Sequence, residues 1–475
     1  MNSSLQRSLL LLGFLLTVPL LSANEDSRPN ILLILADDLG YADVSFNGPS
    51  DIRTPQMDEL AHDGMIFKSA YVVHPFCGPS RMALFSGRYP YEFGAPYNLP
   101  DYSSGNYRDQ GMPKSETLIS NVLQDAGYQT GLIGKWHLGT EPHNHPNVRG
   151  FDDFYGFLGG GILYFGPYRA QNEQGRVWDY KVNPEHNGVD DDTLTAEDYM
   201  TDVLTDKGVD FINHAAQQED PFFLFMSYNA PHTVLAAKQE DIALYPELEG
   251  KRQVYAAMVH SLDEGVGRLV ESLKAVGEFE NTLIIFLSDN GGRTDQGADN
   301  APLSGAKGDT WEGGFRTPMF MHWPEKIPSG STYEHAISAL DFYPTFAQLA
   351  EAKIPASKDL DGKAVMDDIL AGEDARPGEI IYTIRHRNGF TDVGILMNEW
   401  KAVRYRKQWK LFNLANDISE DRDLSAKHPN VLSHMISAVA KETKTHPRPL
   451  WFDNPKAEKM WDDTGMPNHA ETYRN

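Results

Sequence analysis

The chain has a single cysteine, Cys77, in 475 residues. With no second thiol it forms no internal disulfide, and thiol exchange lacks a resolving partner. Cations are scarce too: 42 Lys and Arg stand against 67 Asp and Glu, a formal charge of −25. Such a surface repels nucleic acid and anionic membranes, so a polyanionic ligand has to be met by a local basic pocket. Internal repeats and long low-complexity linkers are absent. An apolar content of 41% with 11% aromatics excludes an acidic disordered chain.

What is present begins with an export signal. Arg7 supplies the positive region, Leu9 to Leu21 the apolar run, and Leu21-Ser22-Ala23 a small-residue cleavage site. The run is short for a membrane span, and no cysteine follows it to take a lipid. Residues 1–23 therefore read as a signal peptide. The mature chain is expected free of membrane, in the periplasm, the extracellular space or the secretory pathway. An exported protein normally uses cysteines in pairs. The lone Cys77 is either a small buried hydrophobe or a chemical group. Its setting, His74-Pro75-Phe76-Cys77-Gly78-Pro79-Ser80-Arg81, favours chemistry.

Four apolar runs end abruptly in polar residues. Ile31–Leu35 leads to Asp37-Asp38, and Thr130–Gly134 to Lys135-Trp136-His137. Phe222–Met226 leads to Asn229-Ala230-Pro231-His232, and Leu283–Leu287 to Asp289-Asn290. Continuous apolar runs of this length suit strands buried on both faces. Helical patterns lie between them, the clearest over Arg252–Ala275. The expected fold is α/β: a large, mostly parallel, doubly wound sheet flanked by helices, spanning residues 24–374. From about Ala375, short β-like runs such as Trp400–Tyr405 and Trp409–Leu414 predict a smaller C-terminal α+β subdomain, 375–475, with an antiparallel sheet. The final fifty residues are expected to wrap irregularly.

Ligands of a doubly wound sheet bind beyond the carboxyl ends of its strands, so these four ends converge on one site. Asp37, Asp38, Asp289 and Asn290 are hard oxygen donors suited to Ca²⁺ or Mg²⁺. Zinc sites favour His and thiolate instead. Arg81, Lys135, Lys307, His137 and His232 would line a pocket for an anionic tetrahedral group. Pro79 is placed to open a helix over Ser80–Phe85, putting Cys77 at its N-terminus.

Cys77-Gly78-Pro79-Ser80-Arg81 resembles the C-x-P-S-R signature of the formylglycine-dependent (type I) sulfatases. The resemblance runs from about Arg28 to Leu424. Gly134–Gly139, Arg149–Asp152, Asn229–His232, Ser288–Gly292, Gly305–Gly308 and Trp311–Gly314 are similar to further family stretches, most like the arylsulfatase B branch. It implies an alkaline-phosphatase-like fold and a maturation enzyme that converts Cys77 to formylglycine, whose hydrate is the nucleophile. Asp37, Asp38, residue 77, Asp289 and Asn290 would hold Ca²⁺, and Asp289 would accept the hydrate's proton. Arg81 and Lys135 would hold the hydrate, while Lys135 and Lys307 would hold the sulfate. His232 with Lys307 would protonate the leaving alcohol, and His137 would deprotonate the second hydroxyl. Gly78 stands where the family more often has Thr or Ser.

By the same resemblance the substrate is a sulfated carbohydrate, with an O4-sulfated galactose-type ring as the analogy. His143, His145, Arg293, Trp311 and Arg316 are candidate sugar contacts beside Lys135, His232 and Lys307. Arg385-His386-Arg387 is a further basic run that could meet additional sulfates. Two alternatives stay open at this point: a phosphodiesterase or phosphonate hydrolase of the same superfamily, and a non-catalytic binder of sulfated glycans.

Overall fold

A computed structural model describes residues 28–99, 110–166, 184–387, 389–464 and 472–474. The expected signal peptide lies outside the described residues. Ten strands form one sheet: β1 (Asn30–Ala36), β2 (Met65–Tyr71), β3 (Gln129–Lys135), β4 (Asp153–Phe157), β5 (Glu185–His186), β6 (Val189–Asp190), β7 (Phe222–Ser227), β8 (Thr282–Ser288), β9 (Met319–His322) and β10 (Ser331–Ser338). Their order is β10-β2-β9-β8-β1-β7-β3-β4-β5-β6.

The four apolar runs are the four central neighbours, β8-β1-β7-β3, all parallel. Along β1, Ile31, Leu33 and Leu35 enter one core, while Leu32, Ile34 and Ala36 enter the other. Both faces are therefore dry, as a run without polar alternation requires. Parallel pairing also brings all four carboxyl ends to the same edge. β9 runs antiparallel to β2 and β8. The helix expected over Arg252–Ala275 spans Gly250–Val276, and Gly277 ends it with φ 84°, a left-handed turn that glycine takes without strain.

The C-terminal sheet is antiparallel, in the order β11 (Ile380–Arg387), β12 (Phe390–Met397), β13 (Trp400–Tyr405), β14 (Gln408–Asn413). The final fifty residues differ from expectation. Pro429–Glu442 is a helix, with proline in its first turn and Leu432, Met435, Ile436 and Val439 buried. Pro455–Thr464 is another. Proline at a helix start removes only an amide that would lack a partner anyway, so the Pro-rich composition did not preclude helix here.

The helix bearing the cysteine spans Cys77–Ser86 and is buried throughout. It starts at Cys77 itself, earlier than the expected Ser80, because Phe76 takes the extended N-cap conformation. Its far end is held by Asp361 and Gly362, whose amides donate to Gly87 O, while the Asp361 carboxylate accepts the Tyr89 N–H at 2.7 Å. Burial first, then Glu92, pushes the Asp361 carboxyl up to about 7, against the Tyr89 amide and Arg88. The folded chain thus keeps a proton that the unfolded chain releases, so this contribution to stability falls as pH rises from about 4 to about 7. Asp361→Asn is expected to flatten that decline. At pH 8 it should gain about 1–2 kcal/mol on the parent protein, and at pH 4 little or nothing, in urea midpoints.

Candidate active site

The site assembles at the carboxyl edge of the four central strands. β1 delivers Asp37 and Asp38, β8 Asp289 and Asn290, β3 Lys135, and the segment after β7 His232. Asp37 N–H donates to Ala230 O, and Asp289 N–H to Ala36 O, so neighbouring strand ends fix one another. Asp38 and His137 hold positive φ, 66° and 61°, a conformation that costs a non-glycine residue about 1–3 kcal/mol and tends to persist at functional sites.

Ligand atoms of Asp37, Asp38, Cys77 and His232 all lie within 4.8 Å of one another, and all four residues are buried. Cys77 Sγ is 3.4 Å from Asp37 Oδ1 and accepts from Lys307 Nζ at 3.2 Å. Lys135 Nζ meets Asp37 Oδ2 at 2.5 Å, and Lys307 Nζ meets Asp38 Oδ1 at 2.6 Å. Arg81 binds Asp289 Oδ2 through Nε and Nη2, both at 2.9 Å. Its Nη1 donates to Ser227 Oγ at 2.5 Å, and that hydroxyl donates to Lys135 O at 2.6 Å. His232 Nε2 lies 3.6 Å from Asp38 Oδ2, while Nδ1 is 2.6 Å from Thr233 O. The His137 ring lies over Gly78.

Electrostatics divide the carboxylates. Burial works to raise the Asp37 carboxyl, but Lys135, His232, Arg81 and Lys307 together hold it below its ordinary value. Asp289 goes the other way: burial and then Asp37 push it up to about 6, against Arg81 and Lys135. Burial and the carboxylates Asp289 and Asp37 push the Cys77 thiol well up, despite Lys135 and Lys307. Burial lowers both histidines, His232 to about 4 and His137 well below its ordinary value. Lys307 is held charged: burial works to lower it, but Asp38, Cys77, Asp37 and Asp289 together outweigh burial.

The donor set fits a hard divalent cation. Asp38 Oδ2 and Asn290 Oδ1 are buried without a hydrogen-bond partner, and orphaned buried acceptors are costly unless a ligand satisfies them. Asp37, Asp38 and Asp289 already face Lys135, Lys307 and Arg81, so the two orphaned oxygens, rather than unbalanced charge, carry the fit to a hard cation.

The expected sugar contacts scatter. Arg316 is turned inward: it pairs with Glu312 at 3.2 Å, donates to Lys68 O and lines a cleft of about 500 Å³ whose walls include none of Asp37, Asp38, Cys77 or His232. Trp311 packs against Phe412 and Tyr405 of the C-terminal sheet. His145 is bound to Glu185 at 2.7 Å, and His143 lies 3.3 Å from Asn144 Nδ2 on the preceding turn. Arg293 pairs with Asp295 and, with Thr233, Val234 and Leu235, lines an open cleft beside His232.

Several supporting residues had no sequence signal. Ser227 is one. Asn98 accepts the Gly78 N–H at 2.9 Å, and a Cβ on residue 78 would stand 3.0 Å from that oxygen. The missing side chain at Gly78 thus lets Asn98 close on the helix start. Asn300 joins two loops, accepting from Gly292 N–H and donating to Gly292 O and Gly305 O.

Comparison with known proteins agrees with this geometry. The profile of the family described as Sulfatase matches residues 29–352, and that described as N-sulphoglucosamine sulphohydrolase, C-terminal, matches 307–445. N-acetylgalactosamine-6-sulfatase of Mus musculus is 31% identical over 87% of this chain and 80% of its own length. Arylsulfatase J of Mus musculus is 29% identical over 88% and 76%. A crystal structure of Ps i-CgsB in complex with k-i-k-neocarrahexaose is 46% identical, with TM-score 0.90, covering 94% of this chain and 100% of that one. Matched across most of its length by these relatives, the chain belongs to the sulfatase family and is a sulfuric ester hydrolase.

Proposed function

We propose that the protein is an exported carbohydrate sulfatase, matured at Cys77 to formylglycine by a dedicated enzyme, loaded with Ca²⁺, and acting on a sulfated galactose-type oligosaccharide. The observation that carries this reading is Cys77 at a helix start, in contact with both Asp37 and Lys307. The sugar class is supported by the neocarrahexaose bound to the 46% identical relative. O4 is the proposed sulfate position; the galactosamine relative is named for position 6.

Asp37, Asp38, Asp289 and Asn290 would hold the Ca²⁺, which supplies Lewis acidity toward a bound hydroxyl and the sulfate oxygens. The hydrated aldehyde at 77 supplies one hydroxyl to attack sulfur and a second whose deprotonation expels sulfate. Around it the chain's own groups divide the labour. Asp289 accepts the attacking hydroxyl's proton. Arg81 and Lys135 orient residue 77, and Lys135 and Lys307 neutralise the sulfate. Lys307, held charged, delivers a proton to the leaving alcohol; His232, lowered to about 4 by burial, is neutral at rest and shares that role once the negative charge of bound sulfate favours its protonation. His137, lowered by burial and by Lys135 and Arg81, is neutral and ready to take the second hydroxyl's proton.

A panel of neocarra-oligosaccharides with defined sulfation tests the reading, with sulfate release and the desulfated position read by NMR. Loss of an O4 sulfate from galactose is expected. Release from O6 overturns the position, and faster hydrolysis of matched phosphate esters overturns the class. Calcium is tested without turnover. At a hundredfold excess over its Kd, Ca²⁺ is expected to stabilise the chelator-treated protein by about 2.7 kcal/mol, read in the urea midpoint. An unchanged midpoint sinks the metal assignment.

A further inference from the structure

The basic run Arg385-His386-Arg387 on β11 is resolved by the structure into three different fates. His386 is buried and bonded to Thr391 Oγ1 at 2.9 Å. Arg387 is consumed by Asp392 at 2.8 Å and Asp309 at 3.3 Å. Arg385 is half-buried, donates through Nη1 to Gly308 O, and lies over the Phe76 ring with Cζ 4.6 Å from its centroid. Among the described residues it has no ion-pair partner. Asp309, Asp392 and Asp453 act on it only from farther away, and Arg387 holds the first two. Among the described residues its Nε and Nη2 have no hydrogen-bond partner.

The position of this unspent cation matters. Phe76 immediately precedes Cys77. Gly308 immediately follows Lys307, whose Nζ is 3.2 Å from Cys77 Sγ. Arg385, contributed by the C-terminal subdomain, therefore touches the residues that adjoin Cys77 and Lys307 in the chain. In a chain of charge −25, a guanidinium near an anion pocket that forms no ion pair among the described residues, and feels Asp453 only at longer range, is informative. Burial and Arg387 already bring its pKa down to about 10, so an incoming anion relieves an unfavourable charge. The stacking on Phe76 fixes the guanidinium plane, which leaves one edge able to grip two oxygens at once.

We propose that Arg385 forms a second anion subsite, which binds a further sulfate ester on the oligosaccharide whose scissile sulfate lies at Lys135 and Lys307. This deepens the carbohydrate-sulfatase reading and rests on it. The preferred substrate is then a glycan carrying at least two sulfates close together, and Arg385 acts as a specificity determinant rather than as a catalytic residue.

The test compares kcat and KM for two oligosaccharides with the same backbone, carrying one or two sulfates per repeat. Parent protein, Arg385→Gln and Arg385→Lys are measured in parallel. The parent is expected to prefer the doubly sulfated substrate. Arg385→Gln should cut that preference by about tenfold or more, through KM, and Arg385→Lys should restore part of it. Equal losses on both substrates would assign Arg385 to clamping the Lys307 loop through Gly308, and would overturn the subsite alone. An indifferent parent overturns it as well. A parent that hydrolyses neither oligosaccharide overturns the carbohydrate-sulfatase reading, and the subsite with it.

Discussion

Cys77→Ala is expected to abolish sulfate release, lowering kcat/KM by about 10⁴-fold or more, while substrate affinity stays within a few-fold. The asymmetry follows from the contacts. Cys77 Sγ touches Asp37 and Lys307, but the groups assigned to hold sulfate, Lys135 and Lys307, remain in place when it is trimmed. Cys77→Ser separates the two hydroxyls of the mechanism. Serine offers one nucleophilic oxygen but no second hydroxyl to drive elimination, so it should release at most one equivalent of alcohol and then stall. Peptide mass spectrometry of residue 77 in active protein from the native host completes the test. An aldehyde is the expected species. A free thiol in fully active protein contradicts the mechanism, as does turnover by the alanine variant.

The residues whose convergence was legible in the sequence share one property: each stands next to a local signal. Asp37, Asp38, Lys135, Asp289 and Asn290 directly follow apolar runs, and a strand buried on both faces announces itself without any partner. Knowing that those strands are parallel is enough to gather their ends. Strands β5 and β6, at one end of the sheet, are two residues each, too short to carry a period. β11 was hidden because Arg385, His386 and Arg387 make its last three residues of eight look like a solvated basic run. The sugar contacts misled for a related reason. Trp311 opens the Trp311–Gly314 stretch and Arg316 follows it, but their partners, Phe412 and Glu312, turn them into packing. Ser227, Asn98 and Asn300 act through hydrogen bonds whose other ends are remote in the chain or set by loop shape, and a linear pattern does not encode these.

The same blindness hid a buried, charged link between the two sheets. Lys401 on β13, itself fully buried, donates to Glu312 Oε1 at 2.6 Å and lies 4.1 Å from the Phe315 ring centroid. Glu312 also accepts from Tyr71 Oη at 2.7 Å and pairs with Arg316. Its amide donates to Glu420 Oε2 at 2.9 Å. This network grips the turn Glu312–Phe315, and that turn supports the loop proposed to carry metal ligands: Gly291 N–H donates to Gly314 O at 3.0 Å, and a Cβ on Gly291 would fall 1.8 Å from Gly313 O. Lys401 therefore holds Asp289 and Asn290 in place without touching them. Lys401→Met removes the ammonium and keeps most of the volume, leaving Glu312 buried beside Glu420 with Arg316 as its remaining cation. Breaking a buried pair on one side costs about 3–5 kcal/mol, and the urea midpoint should fall accordingly. The loosened loop should also weaken Ca²⁺ binding in calorimetry. Lys401→Met combined with Glu312→Gln should lose less than the sum of the single changes, because the second removes the charge that the first strands. Strict additivity, or a single variant within about 0.5 kcal/mol of the parent, would show that the network is not what joins the C-terminal sheet to the metal loop.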